Sequence, residues 1–375
     1  MEQHNSPRFV TALARMGASL VVAVLHQSLL AATPSALVVG WGNNMAGQAT
    51  GAPPLGFAAL PGSIAGPPCA TGAVTIAGQI LTDAVAVSAG MSHGLALRAN
   101  GTAVGWGGNF FGEATGSSTP YPGMTNGAVT IAGQVLSNLT VVAAGRFHSL
   151  GLKGDGTVVA WGANESGQAS VPKGLGGVVA IAAGGNHSLA LKRDTTVVAW
   201  GQRNDPPSGL SNVVAIAVGG EMSAPGLALM KDGTVAEWTP GAGPERTRVV
   251  VSNAVAVVAG TGHCLALLRD GTVFGWGFNG TGEATGIPTT TGSYCSSGNV
   301  VIGGQPLSDV VAIAAGNGYS LARKSDDTLV AWGRCDNGLH PANVPSGLGN
   351  VLAIAAGENF CLAITTNRAP FAIKR

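Results

Sequence analysis

Residues 178–201 read VVAIAAGGNHSLALKRDTTVVAWG, and the pattern returns at 85–107 as VAVSAGMSHGLALRANGTAVGWG and at 255–277 as VAVVAGTGHCLALLRDGTVFGWG. Self-similarity of this kind marks a repeat architecture and takes precedence over any local reading. The seven tryptophans of the chain occupy one slot of the unit: Trp41, Trp106, Trp161, Trp200, Trp238, Trp276 and Trp332. An Ala-Gly or Val-Gly step closes the preceding apolar run at Gly90, Gly145, Gly184, Gly219, Gly260, Gly316 and Gly357. From that glycine to the next tryptophan is 16 residues in five of six cases, and the sixth, Gly219 to Trp238, is lengthened around Ala224 and Pro225.

The unit reads as strands. Val178 to Ala183 is short, rich in branched residues and closed by glycine, as a strand buried on both faces should be. Ser188 to Lys192 forms a second run. Pairs such as Asn100-Gly101, Asp155-Gly156, Asp232-Gly233 and Asp270-Gly271 then predict a two-residue hairpin with positive φ angles. A third strand runs to Trp-Gly, and a polar piece such as Gly167 to Pro172 is expected to be an outer fourth strand. The expected fold is all-β, a seven-bladed β-propeller of four-stranded antiparallel blades.

The two ends of the repeat array complement one another. Residues 37–42, LVVGWG, carry the tryptophan strand without its leading strands, and residues 351–364, VLAIAAGENFCLAI, carry leading strands without a tryptophan. Joined, they make one blade, so the ring is closed by N- and C-terminal strands and hides edges that an open array would expose. The propeller is expected over 37–366, with an N-terminal segment at 1–36 and a tail at 367–375.

The pattern AAGxxHSLALKxDGTVVAWG, followed by NxxGQ at Asn44 to Gln48 and Asn164 to Gln168, resembles regulator-of-chromosome-condensation repeats over nearly all of 37–366. No tryptophan is followed by aspartate, as a WD40 blade would require. The short spacings from Trp161 to Trp200 and on to Trp238 resemble the compact bacterial branch of that family. GEATG at 112–116 and 282–286 is similar to the blades of a secreted β-lactamase-inhibitor propeller in it. The family's founding member is a nuclear exchange factor for a small GTPase that docks on nucleosomes; what the resemblance implies here is the fold, since fold alone is a weak warrant for activity.

With 19 basic and 18 acidic residues the net charge is +1, which excludes the electrostatic footprint of sequence-independent nucleic-acid binding. Arg8 and Arg15 precede an apolar stretch from Met16 to Leu25, and Ser28 to Ala32 continues it. That order predicts a signal peptide and a secreted, periplasmic or cell-surface location, with an N-terminal amphipathic helix or membrane anchor as the alternative. No other segment approaches the roughly 18 uninterrupted apolar residues of a membrane span.

The loops after Ala-Gly and after Trp-Gly should emerge on one face, with the Asp-Gly turns on the opposite one. Loop residues displayed on that face are the candidate binding residues: Asn109, Phe110, Phe111, Arg146, Phe147, Asn164, Glu165, Asn279 and Asn317. Phe110 and Phe111 are the leading anchor, because nothing in the repeat demands aromatic residues there. Three long connections, after Trp41, Trp106 and Trp276, share GAVTIAGQ at 72–79 and 127–134 and GNVVIGGQ at 298–305, and are expected on one side of the ring.

His93, His148, His187 and His263 share a slot that Tyr319 and Phe360 fill elsewhere. Aromatic replacements there favour packing plus a backbone hydrogen bond over metal binding. The tryptophans are read as blade core. Cys264 and Cys361 are expected to be buried, and a bridge from Cys335 to Cys295 or to Cys69 is expected among the five cysteines. No clustered carboxylates, no nucleophile beside a base and no cofactor motif rise above the repeat, so the sequence favours a non-catalytic binding module without a cofactor. The expected partner is a protein, with a glycan second. A structural envelope module is the alternative, followed by a secreted enzyme inhibitor; an exchange factor or an axial hydrolase or lyase ranks last.

Overall fold

The computed structural model describes residues 36–51, 69–120, 123–202, 206–207, 210–220, 225–238, 248–290, 292, 294–334 and 342–367. The expected signal segment, all but residue 367 of the tail, and Cys335 with its proposed bridge lie outside them. No helix among the described residues is long and apolar enough to cross a membrane.

Seven antiparallel blades form the ring. Blade 1 comprises Ala84–Ala89, His93–Arg98, Ala103–Gly108 and Met124–Ala128. Blade 2 comprises Leu139–Ala144, His148–Lys153 and Val158–Gly162, and blade 3 comprises Val178–Ala183, His187–Lys192 and Val197–Gly201. Blade 4 is built from Val213–Val218, Gly226–Met230, Val235–Trp238 and Arg248–Val251. Ala254–Ala259, His263–Leu268, Val273–Phe278 and Cys295–Asn299 make blade 5, while Val310–Ala315, Tyr319–Lys324 and Leu329–Gly333 make blade 6. Blade 7 joins Val351–Ala356 and Phe360–Thr365 to Leu37–Asn43 and Cys69–Ala73. Its register runs from Leu37 opposite Thr365 to Gly42 opposite Phe360, so both ends of the array close the ring as expected.

Three blades depart from the four-stranded expectation. Blades 2, 3 and 6 have three strands among the described residues. Gly167 to Pro172, expected as an outer strand, is turn and coil, because Gly167 takes a φ of 78° and Pro172 has no N–H to give a ladder. In blades 1, 5 and 7 the long connections themselves supply the fourth strand.

The turns differ as well. Arg98 N–H bonds to the Thr102 carbonyl and Gly101 N–H to that of Arg98, which encloses three residues rather than two. Only the last turn residue is left-handed, as at Gly101 or, without glycine, Thr195 and Asp327. The preceding Asn or Asp instead caps the turn, as when Asp155 Oδ1 accepts from Thr157 N–H at 2.9 Å. Two-residue hairpins do occur in the shared pieces, at Ala77-Gly78, Ala132-Gly133 and Gly303-Gly304, where both residues have positive φ. They sit at the Asp-Gly end of the blades, since Val129 N–H bonds to the carbonyl of Ala103, the first residue of a third strand. The blades that carry them, 5, 7 and 1, fall within four consecutive positions of the ring.

The core is divided between the blades. Each of seven apolar clusters fills one junction; at blades 1 and 2, for example, Leu95, Leu97 and Val85 meet Val142 and Trp161. Burying one such leucine contributes on the order of 2 kcal/mol. The innermost strand of every blade carries a bulge near its start, as between Leu139 and Val141, and a bulge strengthens twist. Near the axis the glycine of the Ala-Gly step is obligatory, because a methyl on Gly90 would run into the Gly145 carbonyl of the next blade.

Candidate protein-binding face

The face begins with the loop after each Trp-Gly. In blade 1, Asn109 Oδ1 accepts from Ala114 N–H at 2.8 Å and Thr115 N–H at 3.0 Å, while Nδ2 donates to the Ser117 carbonyl and Thr119 Oγ1. Glu113 Oε2 accepts from Phe111 N–H at 2.8 Å, closing the tip from the other side. Burial raises the Glu113 pKa, and the loop N–H groups around it pull the other way. The Glu113 carbonyl, meanwhile, accepts from Trp161 Nε1–H at 3.0 Å and from Ser149 Oγ–H at 2.8 Å, both of blade 2.

The loop of one blade is thus riveted to the next. Trp106 and Trp200 donate in the same way to the carbonyls of Gln48 and Gln168, and Trp332 to that of Glu283. Trp276 uses the Glu237 carboxylate instead, at 2.6 Å. Six tryptophans are buried as blade core, and Trp200 is partly exposed.

The histidine slot sits beneath this clamp. His93 Nε2 lies 2.9 Å from Ser149 Oγ, His148 Nε2 2.9 Å from Ser188 Oγ, and His263 Nε2 2.7 Å from Ser320 Oγ. The bond crosses to a serine side chain of the next blade, not to the backbone as expected; only Tyr319 bonds backbone, at the carbonyls of Gly357 and Phe360. Burial holds His93 and His148 down to about 3 and His187 and His263 to about 4. No three metal-ligating side chains converge among the described residues.

Two loop classes meet where blade 1 overlaps blade 2. Phe110 and Phe111 stand edge to face with ring centroids 5.1 Å apart, and Phe111 lies 5.5 Å from Phe147. Arg146 Cζ sits 5.5 Å from the centre of the Phe147 ring, and its Nε donates to Met91 Sδ at 3.4 Å. Phe110 is 56% exposed and Phe111 36%. Met91 and Arg146 continue inward to the glycine-lined depression on the ring axis, which Thr261 and Glu358 also border.

The other expected site residues divide. Asn109 and Asn279 are fully buried and are corrected to loop braces, since their side chains are consumed within their own loops. Asn164 and Glu165 are exposed on the loop after Trp161-Gly162, and Asn317 is half-buried on blade 6. Cys264 and Cys361 are buried as expected. A second exposed aromatic pair, Phe278 and Tyr294 with centroids 6.3 Å apart, escaped the sequence reading. Phe278 follows Trp-Gly directly, where other blades carry Asn43, Gly108, Ala163, Gln202 or Arg334, and that contrast was its signal.

Comparison with known proteins agrees with the propeller fold. No curated protein matches the chain. Human WBSCR16 is similar in structure at 17% identity and a TM-score of 0.65, covering 89% of this chain and 100% of that one. Prp20p from Saccharomyces cerevisiae, described with its binding properties to Gsp1p and histones, matches at 15% identity and a TM-score of 0.51, covering 96% and 97%. The ectodomain of the Arabidopsis thaliana receptor kinase ACR4 matches at 20% identity and 0.51, covering 76% and 95%. Residues 84–113, 140–168, 178–205 and 254–283 match the regulator of chromosome condensation (RCC1) repeat, and these matches support that repeat family for this propeller.

Proposed function

We propose that this chain is a non-catalytic protein-binding propeller of an exported protein, which engages its partner through the Ala-Gly and Trp-Gly loops of one face. The observation that carries the reading is the cluster of exposed Phe110 and Phe111 with half-buried Phe147 and Arg146 on braced loops. Exposed aromatics beside an arginine are the usual anchors of an interface, and binding residues concentrate on loops held by a stiff scaffold. Binding of Gsp1p and histones by Prp20p supports a protein as the kind of partner. Export rests on the order of Arg8, Arg15 and the apolar run at 16–25, and the 38- to 39-residue tryptophan spacings resemble the compact bacterial branch.

The test is a pull-down from culture fluid and envelope of the source organism with the chain and with its Phe110→Ala, Phe111→Ala double variant. A protein identified by mass spectrometry that is held by the first and lost by the second, with unchanged circular dichroism, is the expected result. Equal retention by both, or none by either, would favour a structural envelope module. N-terminal sequencing of the exported chain tests the leader, with cleavage expected near residue 32.

A further inference from the structure

The phenylalanine cluster has one charged member, and its chemistry narrows the partner. Arg146 spends Nε on a thioether, a weak acceptor, and its two terminal nitrogens have no hydrogen-bond partner among the described residues. The guanidinium is nonetheless held in place, with Phe147 against its face and Met91 beside it. A planar fork fixed at the rim of a depression and left with unused donors matches a carboxylate, which can take two parallel N–H bonds from it.

Immediately outward lie the Phe147, Phe111 and Phe110 rings, an apolar surface beside which the Glu113 carboxylate is buried and accepts from the Phe111 N–H. We infer that this site receives an extended segment of a protein partner in which an Asp or Glu stands next to a large apolar residue. The carboxylate pairs with Arg146, and the apolar side chain covers Phe111 and Phe110. The inference rests on the protein-binding reading and adds the chemistry of the contact.

Two other ligand classes fit the surface less well. A nucleic-acid backbone needs several cations along a track, and here a single arginine stands among rings on a chain of net charge +1. A sugar stacks on a flat aromatic face and calls for amide or carboxylate groups beside it. Phe110 and Phe111 meet at 83°, so they offer no shared platform, and the adjacent Asn109 amide is buried and consumed by its own loop.

A heptapeptide phage library panned on the chain, with Arg146→Gln and the Phe110→Ala, Phe111→Ala variant as parallel targets, tests this. Selected peptides are expected to carry Asp or Glu within two positions of Phe, Leu, Tyr or Trp. A synthetic copy should bind the wild-type chain about tenfold or more tightly than Arg146→Gln, the strength of hydrogen bonds to a charged group. Replacing the peptide's own acid by its amide should cost a similar factor on the wild-type chain and nothing further on Arg146→Gln. Arg146→Lys should fall between, since it keeps the charge and loses the fork. Peptides that depend on Phe110 and Phe111 but carry no acid, and bind Arg146→Gln equally, would overturn the carboxylate assignment and leave the binding face standing. Failure to select any peptide that distinguishes these targets would overturn both.

Discussion

Ser149 Oγ lies 2.9 Å from His93 Nε2 across the junction of blades 1 and 2. Because Ser149 donates its own proton to the Glu113 carbonyl, it accepts from His93, which places a proton on Nε2, while burial favours the neutral ring. The histidine of one blade is matched to the serine of the next: His148 to Ser188 and His263 to Ser320 follow the same rule. Where the next blade offers no serine the slot changes. Phe360 precedes a blade with Gly94 in the serine position, and Tyr319 faces Cys361, whose Sγ lies 3.4 Å from the tyrosine hydroxyl.

His187 breaks that rule. The position it would reach in blade 4 is Gly226, which pairs with Trp238 as Ser188 pairs with Trp200, and both His187 nitrogens are buried without a partner. A buried unsatisfied polar group costs about 1–3 kcal/mol. His187→Phe, which copies the side chain at Phe360, is therefore expected to leave stability unchanged or raise it by about 1 kcal/mol. His148→Phe should lower it by about 1–2 kcal/mol through loss of the cross-blade bond. Urea midpoints of the two variants decide the point, and equal losses at both positions would contradict it.

The same histidines make the ring sensitive to mild acid. Their folded pKa values stand at about 3 to 4 against 6.5 in an unfolded chain, so below pH 6.5 the unfolded state binds protons that the fold refuses. Stability is complete above that pH and is lost as pH falls from about 6.5 towards 4, at up to roughly 1.4 kcal/mol per pH unit for each histidine. The turn aspartates have lowered values, chiefly from bonds to the following threonine, so their contribution is lost only at lower pH. Melting temperatures at pH 7.5, 6.0 and 4.5 should fall stepwise, and a flat profile over that range would refute the histidine account.

One glycine slot separates the long-loop blades from the short ones. Gly40, Gly105 and Gly275 precede tryptophan in blades 7, 1 and 5, and the loop after Trp-Gly folds back so that a methyl there would collide with the carbonyl of Ala49, Ala114 or Ala284. Blades 2, 3 and 6 carry Ala160, Ala199 and Ala331 instead. Gly105→Ala is expected to cost about 1–3 kcal/mol by overpacking, and Ala160→Gly about 1 kcal/mol or less. Thermal unfolding of both variants measures the contrast.

The ring, its closure and the sites of its tryptophans were legible because they depend on periodicity, which a repeated sequence states seven times over. Asn109 was misread for a physical reason: an asparagine in a loop looks exposed, and only the fold reveals that its amide is used up by Ala114, Thr115 and Ser117. The partnership of His93 with Ser149 is hidden in the sequence because it joins one repeat to the next, and aligned repeats place each residue only beside its own equivalents. Gly-Trp against Ala-Trp, by contrast, is a signal for the long loops that the sequence itself displays. Phe110, Phe111, Phe147 and Arg146 could be listed from sequence, but their convergence needed the lap of one blade's loop over its neighbour.

Among the described residues the outermost strands of blades 2 and 3 are Val158–Gly162 and Val197–Gly201, each paired with the strand on its inner side, whereas Ala103–Gly108 of blade 1 is covered outwardly by Met124–Ala128. Burial follows the pairing: Val197–Gly201 is partly exposed throughout, and Ala103–Gly108 is buried throughout. Amides on an uncovered edge have no partner to break before water reaches them, so they should exchange hydrogen faster than those of a strand bonded on both sides. In native-state exchange read by mass spectrometry, peptides spanning 197–201 and 158–162 should take up deuterium well before the peptide spanning 103–108. Equal protection of all three would mean that the outer edges of blades 2 and 3 are covered in solution.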